Sequence, residues 1–213
     1  MRKIEKGVET LELSAWKRAN PGKRYQDLQG NKGVKGSIRK ACVSEQFGLC
    51  AYCCQEVSSE EVSAHSEHVE AQARAPHRTL DFSNIVASCN RKKQCGDAHG
   101  SQILPLTPLM EECESELIFE MSGKVRGLTE RAQTSIRVLN LGDTQDGNRG
   151  LIGARKAMVD ALLYSYAVDP TELCLEDDRV LDLLLEDLLQ PDAAHKLQPF
   201  SPVLVNVIRH LRL

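Results

Sequence analysis

The chain has 213 residues, of which 41% are hydrophobic, 27% charged and only 4% aromatic, and its formal net charge is -3. This is enough apolar material for one good core, or for a small domain with a helical extension. The N-terminal residues 1–6 are polar, and no apolar run approaches the roughly 20 residues that span a bilayer. The sequence therefore predicts a soluble, cytoplasmic protein that does not associate with a membrane.

Charge is distributed unevenly along the chain. Residues 1–50 carry 11 basic and five acidic side chains, residues 71–100 carry five and two, and residues 169–192 carry one and nine. The two basic stretches flank a cysteine cluster, which favours an anionic substrate there and a different partner for the acidic stretch. Ordinary solvated surface charge explains the acidic stretch equally well.

Hydrophobic periodicity and turn residues predict the elements of the first 128 residues. Helices are expected at 9–18 and 34–47, the second leading directly into the cysteines. A short strand is expected at 61–70, and a hairpin at 116–127 with its turn at Ser122-Gly123.

From residue 129 the pattern becomes helical. Thr129 is a candidate N-cap for the first helix, and a second helix follows the loop at 143–148. A third starts at Asp169-Pro170-Thr171-Glu172, which combines an N-cap, an N1 proline and a capping box. We therefore predict an α+β domain over 1–128 and a helical C-terminal region over 129–213.

Eight cysteines in a cytoplasmic chain favour metal binding over disulfides. Cys50-Ala-Tyr-Cys53 is a C-x2-C pair, and Cys89 and Cys95 form a second pair about 35 residues further on. Two such pairs supply the four tetrahedral thiolates of a structural Zn2+ site. Cys54 could compete with Cys53 for this site, and the three remaining cysteines are expected to be buried small hydrophobes: Cys42, Cys113 and Cys174.

Between the cysteine pairs lie His65-Ser66-Glu67-His68 and Asp81-Phe82-Ser83-Asn84. A zinc ribbon that only bound nucleic acid would not need these residues, whereas a nuclease would. Carboxylate oxygens suit Mg2+ or Mn2+, and a neutral imidazole can take a proton from water. If residues 63–69 form a strand, His65 and Glu67 share a face that His68 leaves, so spacing alone does not define the ligands.

These residues resemble a known family. Glu67-His68 followed by Asn84 inside a four-cysteine frame looks like the ββα-metal HNH fold. More narrowly, the chain resembles the PtuB-type HNH proteins of Septu and retron antiphage systems. The similarity runs through the following segments: Met1-Arg-Lys-Ile-Glu-Lys, Trp16-Lys17, Gln46-Phe-Gly-Leu-Cys-Ala-Tyr-Cys53, His65-Ser-Glu-His68, Asn84-Ile-Val-Ala-Ser-Cys89, Cys95-Gly96 and Leu139-Asn-Leu-Gly.

The resemblance implies a role for each matched residue. His68 would be the general base, Glu67 a ligand of the catalytic Mg2+ or Mn2+, and Asn84 the residue that holds the loop and orients the base. The chain departs from the family at Gly96, where His or Asn is common, so Asp97 or His99 must complete the metal site.

Asp97 is the preferred ligand, since a carboxylate suits a hard cation, and His99 is the alternative. His65 is expected to be a hydrogen-bonding or reserve residue. A second departure, Ala71 where proline is common, is expected to be harmless. Five basic residues are candidates for phosphate contacts, although surface charge explains them nearly as well: Arg74, Arg78, Arg91, Lys92 and Lys93.

The sequence thus predicts a metal-dependent HNH endonuclease that cuts phosphodiester bonds of DNA or RNA. The resemblance implies that it is the effector of an antiphage system controlled by an ABC-type ATPase, with a retron reverse transcriptase and its RNA–DNA product as further partners. The alternative is an adaptor with a decayed nuclease site that binds nucleic acid or the ATPase without cleavage. The helical C-terminal region, with its acidic, leucine-rich segment at 169–192, is expected to make the main contact with the partner, and the basic first 50 residues compete for this role. Much of the apolar stripe of the segment is expected to be covered by the 149–166 helix.

Overall fold

Helices frame two small antiparallel sheets in the computed structural model, which describes residues 1–144, 147–165 and 178–211. This mixed architecture confirms the predicted α+β class. No helix among the described residues has the length and apolar character needed to cross a bilayer.

Two capped helices precede the first cysteine pair. Helix α1 spans Leu11–Ala19, and the side chain of Thr10 caps its N-terminus. Helix α2 spans Lys32–Glu45, and Asn31 caps it in the same way. A side-chain oxygen at this position satisfies one of the amides that the first turn leaves without a partner. Both predicted helices are confirmed, each with its start displaced by two residues.

A hairpin with a long connection carries the residues between the cysteine pairs. Strand β1 spans Ala64–His68 and strand β2 spans Ile85–Cys89. The two strands are antiparallel, with Ala64 opposite Cys89, Glu67 opposite Val86 and His68 opposite Ile85. Strand β2 was not predicted, although Ile85-Val-Ala-Ser-Cys89 is the short apolar run that a fully buried strand requires. Helix α3, Gly96–His99, follows directly after the second cysteine pair.

The predicted second hairpin is confirmed. Strand β3 spans Leu117–Phe119, strand β4 spans Val125–Gly127, and Gly123 has φ +82° in the turn between them. Glycine adopts this left-handed conformation without the steric cost that a Cβ would add.

The described residues of the C-terminal part form four helices, at α4 Glu130–Val138, α5 Arg149–Ser165, α6 Asp178–Leu189 and α7 Ser201–Leu211. Thr129 caps α4 as predicted, accepting a hydrogen bond from the amide of Ala132 at 3.2 Å. The predicted start of the third helix at 169–172, Leu173 and Cys174 lie outside the described residues. Helix α7 was missed, although Val203, Leu204, Val207 and Ile208 have helical spacing.

Helix α7, and not the predicted 149–166 helix, covers the apolar face of α6. Helix α6 buries Leu181, Leu184 and Leu188 and packs chiefly against α7. The predicted cover, the 149–166 helix, is therefore wrong as the main partner. Helix α7 was not predicted, and its residues 203–208 are all buried in this part of the chain.

Helix α7 also completes the second sheet. The side chain of Asn206 accepts a hydrogen bond from the amide of Phe119 and donates to the carbonyl of Leu117, each at 2.8 Å. One hydrophobic core includes buried residues from both sides of the predicted boundary at 128/129. The C-terminal helices thus share the core that supports the first cysteine turn.

Candidate metal centre and active site

Four buried cysteines come together at one end of the hairpin. The sulfurs of Cys50, Cys53, Cys89 and Cys95 all lie within 4.8 Å of one another. The Cys53 and Cys89 sulfurs are 3.9 Å apart, close to the roughly 3.8 Å between ligands of a tetrahedral zinc with 2.3 Å bonds. These four residues could hold a metal ion such as zinc. Within the described ranges, no other group of three or more His, Cys, Asp or Glu side chains has all its ligand atoms this close.

A buried glutamine joins the first cysteine turn to strand β2. The Gln46 amide donates to the carbonyls of Leu49 and Ala87 and accepts a hydrogen bond from the amide of Ala87. The amide of Cys89 then points at the Cys50 sulfur, 3.3 Å away. Gln46 therefore ties the first cysteine turn to strand β2.

The charge state of these sulfurs depends on a cation. Burial raises the pKa of the Cys53 and Cys95 thiols well above their ordinary value, and the neighbouring Cys50 sulfur adds to the shift. Four thiolates this close cannot all ionise without a compensating positive charge, because each repels the others in a medium of low polarity. A bound divalent metal removes that obstacle.

The other cysteines in the described residues do not join this group. Cys54 is buried beside the first turn but is not among the four converging sulfurs, so Cys53 is the residue that converges. Cys42 and Cys113 are also buried, and burial raises the pKa of each thiol to about 12.

A second cluster lies on the face of β1 that meets helix α3. Glu67 stands between two imidazoles, with its Oε1 atom 2.6 Å from Nδ1 of His99 and its Oε2 atom 3.4 Å from Nε2 of His65. We refer to these three residues as the His–Glu–His cluster. Burial raises the pKa of the Glu67 carboxyl, but hydrogen bonds and charge from the two histidines lower it more, so the net pKa lies below the ordinary value.

The outer hydrogen bonds of both histidines define their tautomers. Nε2 of His99 lies 3.0 Å from the carbonyl oxygen of Gln102, which can only accept, so Nε2 carries the proton. Nδ1 of His65 lies 2.8 Å from Oδ1 of Asn90, whose amide nitrogen is committed to the carbonyl of Glu61. Nδ1 of His65 therefore carries the proton as well. Histidines that bind metals through one nitrogen are commonly held through the other in this way.

When the imidazoles are neutral, every atom facing Glu67 is an acceptor. The lone pairs of His99 Nδ1 and His65 Nε2 point at the two carboxylate oxygens, and no hydrogen lies between them. Such a contact needs either an added proton or a cation to be favourable. An imidazole nitrogen and a carboxylate oxygen are also donors that divalent metals accept, although the three residues do not converge on one point as the four sulfurs do.

Gly96 leaves the space that this cluster occupies. A Cβ at this position would lie 2.5 Å from Nε2 of His65 and 2.9 Å from Oε2 of Glu67. The departure from the family pattern at Gly96 thus coincides with close contact between the start of α3 and the cluster. The preceding turn has left-handed residues at Lys93 and Cys95, with φ of 56° and 54°, which direct the chain into α3.

His68, the predicted general base, lies on the opposite face of β1, in accordance with the alternation noted from sequence. Its Nε2 atom is 2.9 Å from the carbonyl oxygen of Thr79, and its ring packs edge-on against Tyr25 with centroids 4.8 Å apart. Only 5% of the residue is exposed, and burial lowers the pKa of its imidazole. The structure therefore does not place His68 beside Glu67.

Asn84 lies where the loop returns to strand β2. Its side-chain oxygen accepts from the amide of Glu70 at 2.8 Å, and its side-chain nitrogen donates to the carbonyl of Glu70 at 3.0 Å. This pair of bonds closes the long loop between the strands.

Asp97 faces away from the cluster. Its carboxylate accepts from the amide of Lys93 at 2.6 Å and from the ammonium of Lys92 at 3.3 Å. Of the two predicted alternatives, His99 is the one that the structure brings to Glu67. The signal in the sequence was position, since His99 lies one helical turn after Cys95 and shares the face that packs on the hairpin.

The basic residues divide into two groups around the cluster. Arg91, Lys92 and Lys93 are exposed in the turn between β2 and α3, on the side of His65. Arg74 and Arg78 lie in the long loop, near the other end of β1. Arg78 is paired with Glu70 and Asp81, and Lys92 with Asp97, so carboxylates compensate one basic residue in each group.

Arg155 was not anticipated from sequence. It is fully buried in α5, donates to the carbonyl of Leu141 at 2.7 Å, and has two guanidinium nitrogens with no hydrogen-bond partner among the described residues. Burial lowers its pKa to about 10, whereas the charges of Cys53, Cys54 and Cys95 oppose that shift. A guanidinium in this place suits a neighbouring centre that carries negative charge.

The chain matches no known family model, and no curated protein is significantly similar to it in sequence.

Proposed function

We propose that the protein is a metal-dependent HNH-type endonuclease that hydrolyses phosphodiester bonds, with a structural zinc in the four-cysteine centre. The observation that carries the proposal is the His–Glu–His cluster, in which a ring nitrogen of each neutral imidazole faces Glu67 with its lone pair, on a hairpin followed by a short helix. A divalent ion held by Glu67 and an imidazole would satisfy these lone pairs, and Mg2+ or Mn2+ is the class of ion that such nucleases use.

In this proposal Glu67 and His99 hold the catalytic ion. When bound, the ion supplies positive charge that stabilises the developing charge on the phosphate. Gln102 fixes the ring of His99, and Asn84 closes the loop next to the cluster. The exposed basic residues attract the backbone of the nucleic acid and orient it.

The proton acceptor is an imidazole, and the geometry favours His65 over His68. The His65 side chain is 35% exposed, and Asn90 holds its Nδ1 atom so that Nε2 faces the cluster. His68 is buried and its Nε2 is bonded to the main chain. An acceptor must be reachable by water and lie close to the reacting phosphate.

The primary test is cleavage of plasmid, single-stranded DNA and total RNA by the purified, zinc-loaded protein with Mg2+ or Mn2+. We expect strand breaks that disappear with Glu67→Gln while zinc content and the unfolding midpoint remain unchanged. The same assay is run with the ABC-type ATPase added, because the resemblance implies control by that partner. Tight nucleic-acid binding without any cleavage in either condition would favour the adaptor instead.

A matched pair of variants identifies the general base. Loss of a general base typically costs about 10²–10⁴-fold in rate. We expect this loss for His65→Ala and a smaller loss for His68→Ala, whose main effect should be a lower unfolding midpoint. The opposite ranking, measured at equal zinc content, would return the role to His68 as the resemblance implies.

Truncation of the chain would not test whether the C-terminal region contacts the ATPase. Removing residues from 169 onward would delete α7, which contributes Val203, Leu204 and Ile208 to the shared core. Leu183 is 67% exposed on α6, so Leu183→Glu alters the surface without removing core residues. If this helix contacts the ATPase, co-purification should fall in Leu183→Glu and persist in a control at another exposed residue, Val8→Glu.

A further inference from the structure

A cleft of about 540 Å³ opens directly beside the His–Glu–His cluster. Val69 lines the cleft and continues the pairing of β1, so alternation places it on the face that His65 and Glu67 occupy. Gln102, whose carbonyl accepts the proton of His99, lines the same cleft. The cleft is therefore adjacent to the cluster.

The cleft combines an apolar floor with a few polar groups. Its apolar lining consists of Val69, Ala71, Ile103, Leu104, Leu109 and Met110. Asn84, Gln102 and Thr107 add polar side chains, and Glu70, Arg74 and Arg78 add charged ones. Small-molecule sites typically have about 300–1,000 Å³ and this kind of mixed lining. A flat, weakly polar group of the size of a nucleobase with its sugar fits both criteria.

One of the two arginines at the cleft has an uncompensated charge. Arg78 is paired with Glu70 at 2.8 Å and with Asp81 at 3.0 Å. Arg74 donates through Nε to the carbonyl of Ser101 at 2.7 Å and makes no ion pair with any described residue. Its guanidinium is thus held by the backbone while its charge remains available for an anion.

We propose that this cleft binds one unstacked nucleobase and its sugar, with Arg74 on a phosphate of the same strand. The proposal rests on the proposed nuclease function and names its substrate as unpaired nucleic acid, because a base inside a duplex cannot reach such a cleft without leaving the stack. The apolar side chains of the cleft contact the face of the base, and its polar side chains contact the exocyclic groups. The His–Glu–His cluster then lies next to the adjoining phosphate.

Binding is measured first, without any cleavage. Isothermal titration of the full-length, zinc-loaded protein compares the four ribonucleoside and four deoxyribonucleoside 5′-monophosphates with inorganic phosphate. Monophosphates contain no diester, so the wild type and Glu67→Gln can both be used. We expect at least one monophosphate to bind about tenfold more tightly than phosphate in both proteins.

Two variants with matched controls locate the binding. Ile103 is 62% exposed at the cleft, so Ile103→Glu adds a negative charge there with little risk to folding. We expect it to weaken monophosphate binding about tenfold, as Arg74→Ala should. The controls make the same replacements at exposed residues of α1, Leu11→Glu and Arg18→Ala, and should bind like the wild type.

Equal affinity for phosphate and every monophosphate overturns the proposal, as does unchanged binding in Ile103→Glu. The two proposals can fail separately. Monophosphate binding by a protein that cleaves no nucleic acid would support the binding site in the cleft and refute the nuclease function. Cleavage without monophosphate binding would do the reverse. Where both hold, single-stranded oligonucleotides should be cut about tenfold faster than the same sequence in a duplex.

Discussion

The four-cysteine centre and the His–Glu–His cluster are neighbours with opposite properties. The four cysteines are at most 4% exposed, whereas the side chains of Glu67 and His65 are 13% and 35% exposed. Closed centres of soft ligands serve stability, and sites with accessible imidazole and carboxylate groups serve chemistry. Cys95 and Gly96 join the two, since one belongs to the cysteine centre and the next residue touches the cluster. The four-cysteine centre therefore positions the His–Glu–His cluster, which is the more open of the two sites.

The largest effect is expected from breaking the closed centre. Cys50→Ala should remove bound zinc and with it the cooperative unfolding transition, because structural zinc contributes on the order of 10 kcal/mol in small zinc domains. Metal analysis and circular dichroism of the purified variant measure both quantities.

Cys113→Ala is the matched control for this variant. Cys113 is equally buried but lies outside the four, so zinc content should remain that of the wild type. A zinc-free wild-type protein with an intact unfolding transition would contradict the prediction.

The next effect concerns the open site alone. His99→Ala removes the imidazole that faces Glu67 and should lower cleavage by about 10²-fold with zinc retained. Asp97→Ala changes a residue of the same short helix whose carboxylate faces Lys92 and Lys93, so it should cleave within a few-fold of wild type. Initial rates at several Mg2+ concentrations separate the two, and the reverse order would restore Asp97 as the ligand.

A smaller effect is expected where the two sites join. In Gly96→Ala the new Cβ must displace the ends of the His65 and Glu67 side chains. Stability should change little, because those ends can move, but a displacement of about 1 Å can cost about 10²-fold in rate. We expect a loss of about 10- to 100-fold, no greater than that of His99→Ala.

Gly153→Ala controls for the effect of adding a methyl group. Gly153 is exposed inside α5 and a Cβ there meets no atom within 4 Å. Its rate should be unchanged and its unfolding free energy should rise by about 0.5–1 kcal/mol. Equal cleavage rates for Gly96→Ala and Gly153→Ala would mean that the position of Gly96 does not affect the His–Glu–His cluster.

The smallest effect tests the loop that delivers Asn84. Burial raises the pKa of Asp81, but hydrogen bonds from Ser83 and Arg78 lower it more, so the folded-state pKa lies below the ordinary value. Asp81 therefore stabilises the fold above about pH 4, and this contribution is lost as pH falls through the folded-state pKa. Asp81→Asn should cost less than about 1 kcal/mol at pH 7, since the pair is partly exposed.

Urea unfolding of Asp81→Asn and wild type at several pH values tests this linkage. The gap between their unfolding free energies should close as pH falls through the folded-state pKa, because Asp81 is then protonated in both states. A gap that is constant with pH would mean that the carboxylate charge does not contribute.

Local signals in the sequence determined much of the fold. The caps at Thr10, Asn31 and Thr129 and the turn at Gly123 lie within one or two residues of the elements that they define. The pairing of Cys50 and Cys53 with the second cysteine turn also followed from spacing, because short turns present two sulfurs on one side. Helix α7 and strand β2 were missed, since their apolar runs become a helix and a strand only through the partners that cover them.

The chemistry of the open site was decided by tertiary structure. Sequence placed His65, Glu67, His68, Asp97 and His99 near one another and left open which of them meet. Strand alternation turns His68 to the buried face, and in α3 the side chain of His99 is buried whereas Asp97 is exposed. Residue types and spacing specify which atoms are present, whereas the direction of each lone pair depends on register and backbone dihedrals that distant contacts hold in place.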